Sequence, residues 1–313
     1  MELILDTNIY RNLITGKNNE EIEQLIKHIK ETSLKKNIKI SFPINSAMEL
    51  IAHYNDINEN EKLDCRNALK LLVEISTKIE FGRLKVNFIP PLNVVLAYYF
   101  FETEDIYMRM YASVITIAQK LVGNVAIENT DNINDDVDLV KSQIEFEKNE
   151  IKTNYENYLK SINSGNVEWT YFEDKEKERV EYFKSLRNGQ LSFLVAQSFI
   201  ERAYTISGNT LTKDEDFFNK VINFMRDFCP ALVMNEFLLE KIGHSVAALD
   251  SVKDKRWNTI IDISLIFGTL YNPKGDDKKL VTQEKQIKNA FDVCGYEDNL
   301  INLDDFLVLM DIK

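Results

Sequence analysis

The sequence predicts an α/β fold, a central parallel sheet whose chain is interrupted by a large all-α insertion. Three observations carry that expectation. Strand and helix signals alternate through residue 58 and return after residue 250, the pattern that builds a parallel sheet. From 59 to 249 the periodicity is almost wholly helical. Ten glycines and five prolines in 313 residues fall far below the about 12 % of average usage. So few turn residues suit long helices and rule out many-turn all-β or linker-rich architectures.

In chain order, Leu3-Ile4-Leu5 reads as a short buried strand, ended by Asp6-Thr7-Asn8, types that favour caps and turns. A helix follows from Asn18 to about Lys36, with Ile22, Leu25, Ile26 and Ile29 on one stripe. Ile38 to Phe42 alternates as a second strand and Pro43 closes it. Ser46 is a candidate N-cap, with Glu49 three residues on in capping-box spacing. Within 59–249 the periodicity predicts helices over 62–79, 92–122, 135–162, 173–206, 214–228 and 231–244. Another helix is expected over 254–270, then a strand at Lys279-Leu280-Val281 ending at Thr282. A helix over 283–293, with Gly295 at its C-terminus, and an extended segment over 300–310 complete the chain. The expected organisation is residues 1–58 and 250–313 as one discontinuous α/β domain, with 59–249 as the insertion.

Charge and composition narrow the function classes. The net charge is −12, unlike a protein that holds nucleic acid by bulk attraction. It divides as −1 over 1–58, −8 over 59–249 and −3 over 250–313. Met1-Glu2 precedes only three apolar residues before Asp6, too short and acidic for a signal peptide. The longest strongly apolar run, Val94 to Phe101, is far below the ~20 residues that span a bilayer. Its aromatic half, Tyr98 to Phe101, reads as core before it reads as a base-stacking surface. Cys65, Cys229 and Cys294 form no C-x-x-C pair, so they read as ordinary thiols of a cytoplasmic protein. Three scattered histidines (28, 53 and 244) do not make a zinc enzyme.

Parallel sheets bind ligands beyond the carboxyl ends of their strands, and few acidic residues fall there. Asp6 follows the first strand. Glu49 lies in the helix after the second. Asn258 and Asp262, four apart, share a helical face. Glu284 follows Thr282 by two residues. Asp262 interrupts a run of isoleucines, where an unpaired carboxylate is expensive. Each residue also has a structural reading. Asp6 can be a helix N-cap, Glu49 part of a capping box, and Glu284 a favourable first-turn carboxylate; Asp262 can pair with Lys or Arg. Their recurrence at one end of the sheet is the argument for a site. Converging carboxylates without cationic partners call for a divalent ion, and oxygen-only ligation suits Mg²⁺ or Mn²⁺.

Four segments in order resemble the PIN-domain (PilT N-terminus-like) metal-dependent ribonucleases, the group that includes the ribonuclease toxins of toxin–antitoxin pairs. Leu3-Ile4-Leu5-Asp6-Thr7-Asn8 resembles the opening motif and Ser46-Ala-Met-Glu49-Leu the second. Asn258-Thr-Ile-Ile-Asp262 is similar to the third and Leu280-Val-Thr282-Gln-Glu284 to the fourth. The resemblance covers 1–58 and 250–313 and leaves 59–249 without a counterpart.

It implies a PIN-like three-layer domain and an endoribonuclease that hydrolyses RNA phosphodiester bonds with metal-activated water, without a covalent intermediate. Asp6, Glu49 and Asp262 would hold Mg²⁺ or Mn²⁺, with Asn258 as a neutral neighbour. Glu284 would complete the catalytic set, although aspartate is commoner at its position. Thr282 would orient the pocket and Asn8 would fix the Asp6 turn. Lys255, Arg256 and Lys285 are the candidate substrate-binding cations, each with a solvated-face alternative. The insertion is expected to act as a lid, to dimerise the chain or to dock a protein partner, and its acidity favours protein. Rival readings are a catalytically inactive PIN-like scaffold and a DNA nuclease or phosphoesterase on the same scaffold.

Overall fold

Leu3, Ile4 and Leu5 are completely buried, which requires the first strand to be covered on both faces, as parallel sheets are. The computed structural model describes residues 1–55, 58–80, 83–101, 107–123, 133–162, 175–185, 190–244 and 258–312. The chain forms two compact units, residues 1–144 with 267–313, and residues 145–266. The α/β unit thus extends well past residue 58 and takes in 86 residues that the sequence reading gives to the insertion.

In the first unit, β1 (Glu2–Leu5) leads directly into α1 (Thr7–Ile14). The sequence reading allows Asp6 as a helix N-cap but assigns no helix over 7–14. The stripe Ile9, Tyr10, Leu13 and Ile14, all buried, makes one. Next comes α2 (Asn19–Lys35), opened by a complete capping box between Asn18 and Glu21. After β2 (Lys39–Pro43), α3 (Ile44–Ala52) and α4 (Glu59–Ser76) pack against each other. A hairpin of β3 (Thr77–Glu80) and β4 (Arg83–Val86) and the short β5 (Phe88–Ile89) occupy a region where helix and turn alone are expected. Thr-Lys-Ile-Glu and Arg-Leu-Lys-Val do alternate, but over four residues each, too few to compete with the helical period before them. Then come α5 (Leu92–Phe101) and α6 (Tyr107–Leu121). α7 (Ile133–Ile162) passes from this unit into the next.

After α12 (Asn258–Leu270), β6 (Lys278–Val281), α13 (Lys285–Cys294), β7 (Leu300–Ile301) and α14 (Leu303–Leu309) complete the unit. The expected extended segment over 300–310 is a strand of two residues followed by a helix. Asn302 accepts the Asp305 amide and acidic residues fill the first turn, so capping overrides the apolar alternation. Gly295 ends α13 in the left-handed conformation at φ 72°.

The five-stranded sheet has the order β5-β2-β1-β6-β7, and every pairing is parallel. Leu5 sits opposite Val281 and Leu3 opposite Ile40. These residues belong, with Phe42, to one continuous core that also holds Cys65 to Ile75 of α4, Tyr111 to Ala118 of α6 and Phe306 of α14. Ile4 and Leu280, paired on the opposite face, are equally buried. At the amino end of the sheet the buried Glu2 carboxylate accepts from Ser41 Oγ and pairs with Lys39 (2.7 Å). Burial works against those bonds, and its carboxyl still ends below the usual range.

The second unit is helical. It contains α8 (Glu176–Ser185), α9 (Gln190–Ser207), α10 (Glu215–Asp227) and α11 (Cys229–His244), with the first nine residues of α12. Phe217, Val221, Phe224 and Phe228 are buried along the α10 side, with the Phe224 and Phe228 rings 4.8 Å apart. Cys65 is buried and outside any disulfide, whereas Cys229 and Cys294 are disulfide-bonded, so the expectation of three ordinary thiols fails for those two. Among the described residues no helix is long and apolar enough to cross a membrane.

Candidate functional site

β1 is the central strand, with β2 on one side and β6 on the other. The strand order reverses there, and crevices that take ligands in open α/β sheets open at such a point. Asp6 is the first residue beyond β1, and its amide extends the ladder by donating to Val281 O (3.1 Å). Beyond β6, Thr282 donates its amide to Ile301 O (3.1 Å). Strand pairing therefore brings Asp6 and Thr282 side by side. The Thr282 hydroxyl accepts from the Glu284 amide (3.1 Å) and donates to Asp6 Oδ2 (3.0 Å), so its proton is directed at the Asp6 carboxylate.

Asp6 is only 5 % exposed. Although it occupies the N-cap position of α1, its side chain makes no capping bond, so the structural alternative for this residue is not realised. Burial pushes its carboxyl up to about 6. The Thr282 hydroxyl and the Thr7 amide oppose that rise, while the Glu49 and Glu284 carboxylates reinforce it. Tyr10, buried one turn on, has its phenol pushed up by the same burial, with Asp6 adding to the effect.

The first two turns of α1 hold the rest of the site. Thr7 Oγ1 donates to Ser46 Oγ of α3 (2.9 Å). Asn8 Nδ2 donates to Glu284 Oε1 (2.8 Å), and Asn12 Nδ2 to Gln283 Oε1 (2.5 Å). Arg11 lies 3.9 Å from Glu49 Oε1 and donates from Nη2 to Cys65 Sγ (3.4 Å). Ser46 is not an N-cap. α3 starts at Ile44, so Ser46 and Glu49 stand inside the helix and the expected capping box does not form. Glu284 precedes α13 without capping it, because Asn8 takes its carboxylate.

Asp6, Glu49, Glu284, Thr282 and Asn8 thus come together in the first unit. Asn8 bonds Glu284 rather than the Asp6 turn. Asp262 is half-buried on α12 between the buried Ile260 and Ile263, and belongs to the second unit. The Asn258 side chain, Lys255 and Arg256 lie outside the described residues. Lys285 is exposed on the first turn of α13. Tyr98 to Phe101 are half-buried, below the fully covered Val94 to Ala97.

Thr7, Arg11, Asn12, Ser46 and Gln283 are contacts that sequence reasoning missed. Their one signal is adjacency to Asp6, Glu49 and Glu284 in the chain. Among the described residues no three His, Cys, Asp or Glu side chains are grouped closely enough to cage a metal ion. No protein family, curated protein or solved structure was found to match the chain.

Proposed function

We propose that the chain is a metal-dependent endoribonuclease of PIN type, acting at the site around Asp6. The carrying observation is Asp6 itself, a buried carboxylate beyond the central strand whose electrostatic neighbours are two further carboxylates. Such a group is costly unless a proton or a cation accompanies it.

The donor set fits Mg²⁺ or Mn²⁺ in an open site. Mg²⁺ is commonly held by one or two carboxylates while keeping several waters, so a cage of three is not required. Asp6 would hold the ion with Glu49 or Glu284, all three of the first unit. A bound ion supplies charge neutralisation of a phosphodiester and activation of water. The chain's own residues do the rest. Thr282 orients the Asp6 carboxylate through its hydroxyl, and Asn8 fixes Glu284. Burial keeps Asp6 protonated below pH ~6, so ion binding releases a proton under acidic conditions.

The rival reading, a catalytically inactive scaffold, draws support from Glu284 and Glu49 each having a protein partner, Asn8 and Arg11. Incubation of the purified chain with Mn²⁺ and labelled single-stranded RNA or DNA separates the two. The nuclease reading expects cleavage of RNA, lost in Asp6→Asn. Cutting that persists in Asp6→Asn overturns it. No cutting of either nucleic acid, together with no Mn²⁺ binding by electron paramagnetic resonance, favours the scaffold. Under either reading the second unit is proposed to meet a protein partner or a second copy of the chain.

A further inference from the structure

We infer that Arg11 is the phosphate-binding residue of the acidic site, the group that receives a phosphodiester oxygen of single-stranded RNA beside Asp6. The inference deepens the nuclease reading and takes its substrate class from it. Three observations lead to it.

The first is position. Asn8 and Arg11 are three apart on α1 and therefore neighbours on its surface. Asn8 holds one site carboxylate, Glu284, and Arg11 stands against the other, Glu49.

The second is unused hydrogen-bonding capacity. A guanidinium carries five N–H donors in a planar fork. Among the described residues Arg11 uses one within bonding distance, on the Cys65 sulfur, a weak acceptor. Its Nε is buried with no partner. The 3.9 Å approach to Glu49 is beyond hydrogen-bond range, whereas a structural arginine–carboxylate pair closes to about 2.8 Å, often through two bonds. An unsatisfied buried donor costs about 1–3 kcal/mol, and such costs concentrate at sites where a ligand supplies the missing acceptor.

The third is charge. An RNA phosphate entering beside Asp6, Glu49 and Glu284 meets like charge, and the leading charged neighbours of Asp6 are both carboxylates. The Arg11 side chain is 30 % exposed, open enough to be reached. Its planar fork matches the oxygens of a phosphate, which a lysine ammonium does not. Glu49 and the phosphate then compete for one guanidinium. The acidic site is weakly latched when empty and released when substrate arrives.

The test is fluorescence anisotropy of a labelled single-stranded RNA oligonucleotide with the full chain in EDTA, run beside Mn²⁺-dependent cleavage. Arg11→Gln should weaken binding by about tenfold and lower the slope of log affinity against log salt by about 0.7, the value of one lost single-strand phosphate contact. Glu49→Gln should tighten binding, and Arg11→Gln should erase that gain in the double variant, an outcome that a purely structural Arg11 does not produce. Equal RNA affinity of wild type and Arg11→Gln at matched salt overturns the inference, as does a wild-type chain that binds no RNA. If Arg11→Gln does not melt cooperatively, Arg11→Lys carries the test. A severalfold loss supports the fork, and unchanged affinity overturns it. The two readings fail separately. Arg11-dependent binding without any cleavage sinks the nuclease and leaves the phosphate site. Cleavage with unchanged kcat and KM in Arg11→Gln does the reverse.

Discussion

A carboxylate at 5 % exposure with two carboxylate neighbours destabilises the fold whenever it is ionised. Asp6 sits near 6 in the folded chain against 3.8 for the free side chain. Between those values the native state binds more protons than the unfolded state, so stability falls as pH rises through the window. The full penalty, reached above pH ~6, is about 3 kcal/mol. Asp6→Asn removes the charge. Urea midpoints of the metal-free wild type and Asp6→Asn should therefore converge near pH 4 and separate up to pH ~6. The variant should be the more stable at pH 7. Equal midpoints at pH 7 would show that Asp6 is solvated or already paired. A residue that stabilises the protein when removed and abolishes cleavage when removed bears the mark of a functional group kept against stability.

The candidate site draws on three elements that meet at one place. β1 delivers Asp6, β6 delivers Thr282 and Glu284 through parallel pairing with β1, and α3 carries Glu49. The helix α1 ties these ends together through Thr7, Asn8, Arg11 and Asn12. On the far side of β2, α12 comes down on β5 at Gly268. A Cβ there would overlap Ile89 Cγ2 and stand 3.0 Å from the Pro90 carbonyl. Ile89 is β-branched and stiff and the second atom is backbone, so neither yields readily. Gly268→Ala should cost about 1–3 kcal/mol through that clash, read as a lowered urea midpoint with unchanged slope. A neutral or stabilising result would mean that helix and strand separate freely.

Across the whole molecule, the α/β unit is discontinuous, and its last 47 residues complete its sheet. A chain ending at residue 266 lacks the partner that pairs with all four residues of β1, as well as Thr282 and Glu284. It is expected to lose near-ultraviolet circular dichroism and to bind hydrophobic dyes, as a chain with an uncovered sheet edge does. A cooperative melt from that fragment would contradict the topology. The division into units also relocates the charge. The first unit carries −8 and the second −4. The excess acid that the sequence reading places on the insertion belongs mainly to the α/β unit. On the proposed nuclease reading, RNA recognition there would come from local groups, a bound cation and Arg11, rather than from the field of the molecule.

Local pattern determined much of this protein. The buried run Leu3 to Leu5, the amphipathic stripe of α2 and the Gly295 stop are legible because each depends on neighbours within a turn or two. The order of strand and helix made a parallel sheet the expectation, and the carboxyl-end rule selected Asp6, Glu49, Asp262 and Glu284 from fifty acidic residues, of which Asp262 falls in the other unit. Tertiary structure decided what short segments could not. The four-residue strands of the β3–β4 hairpin gain their identity from pairing, and α14 from the Asn302 cap. The partners of each carboxylate were illegible because Asn8 meets Glu284 across 276 residues, a separation bridged by strand register alone. Register also set the boundary of the α/β unit, since burial of both faces of β1 draws in every helix needed to cover them.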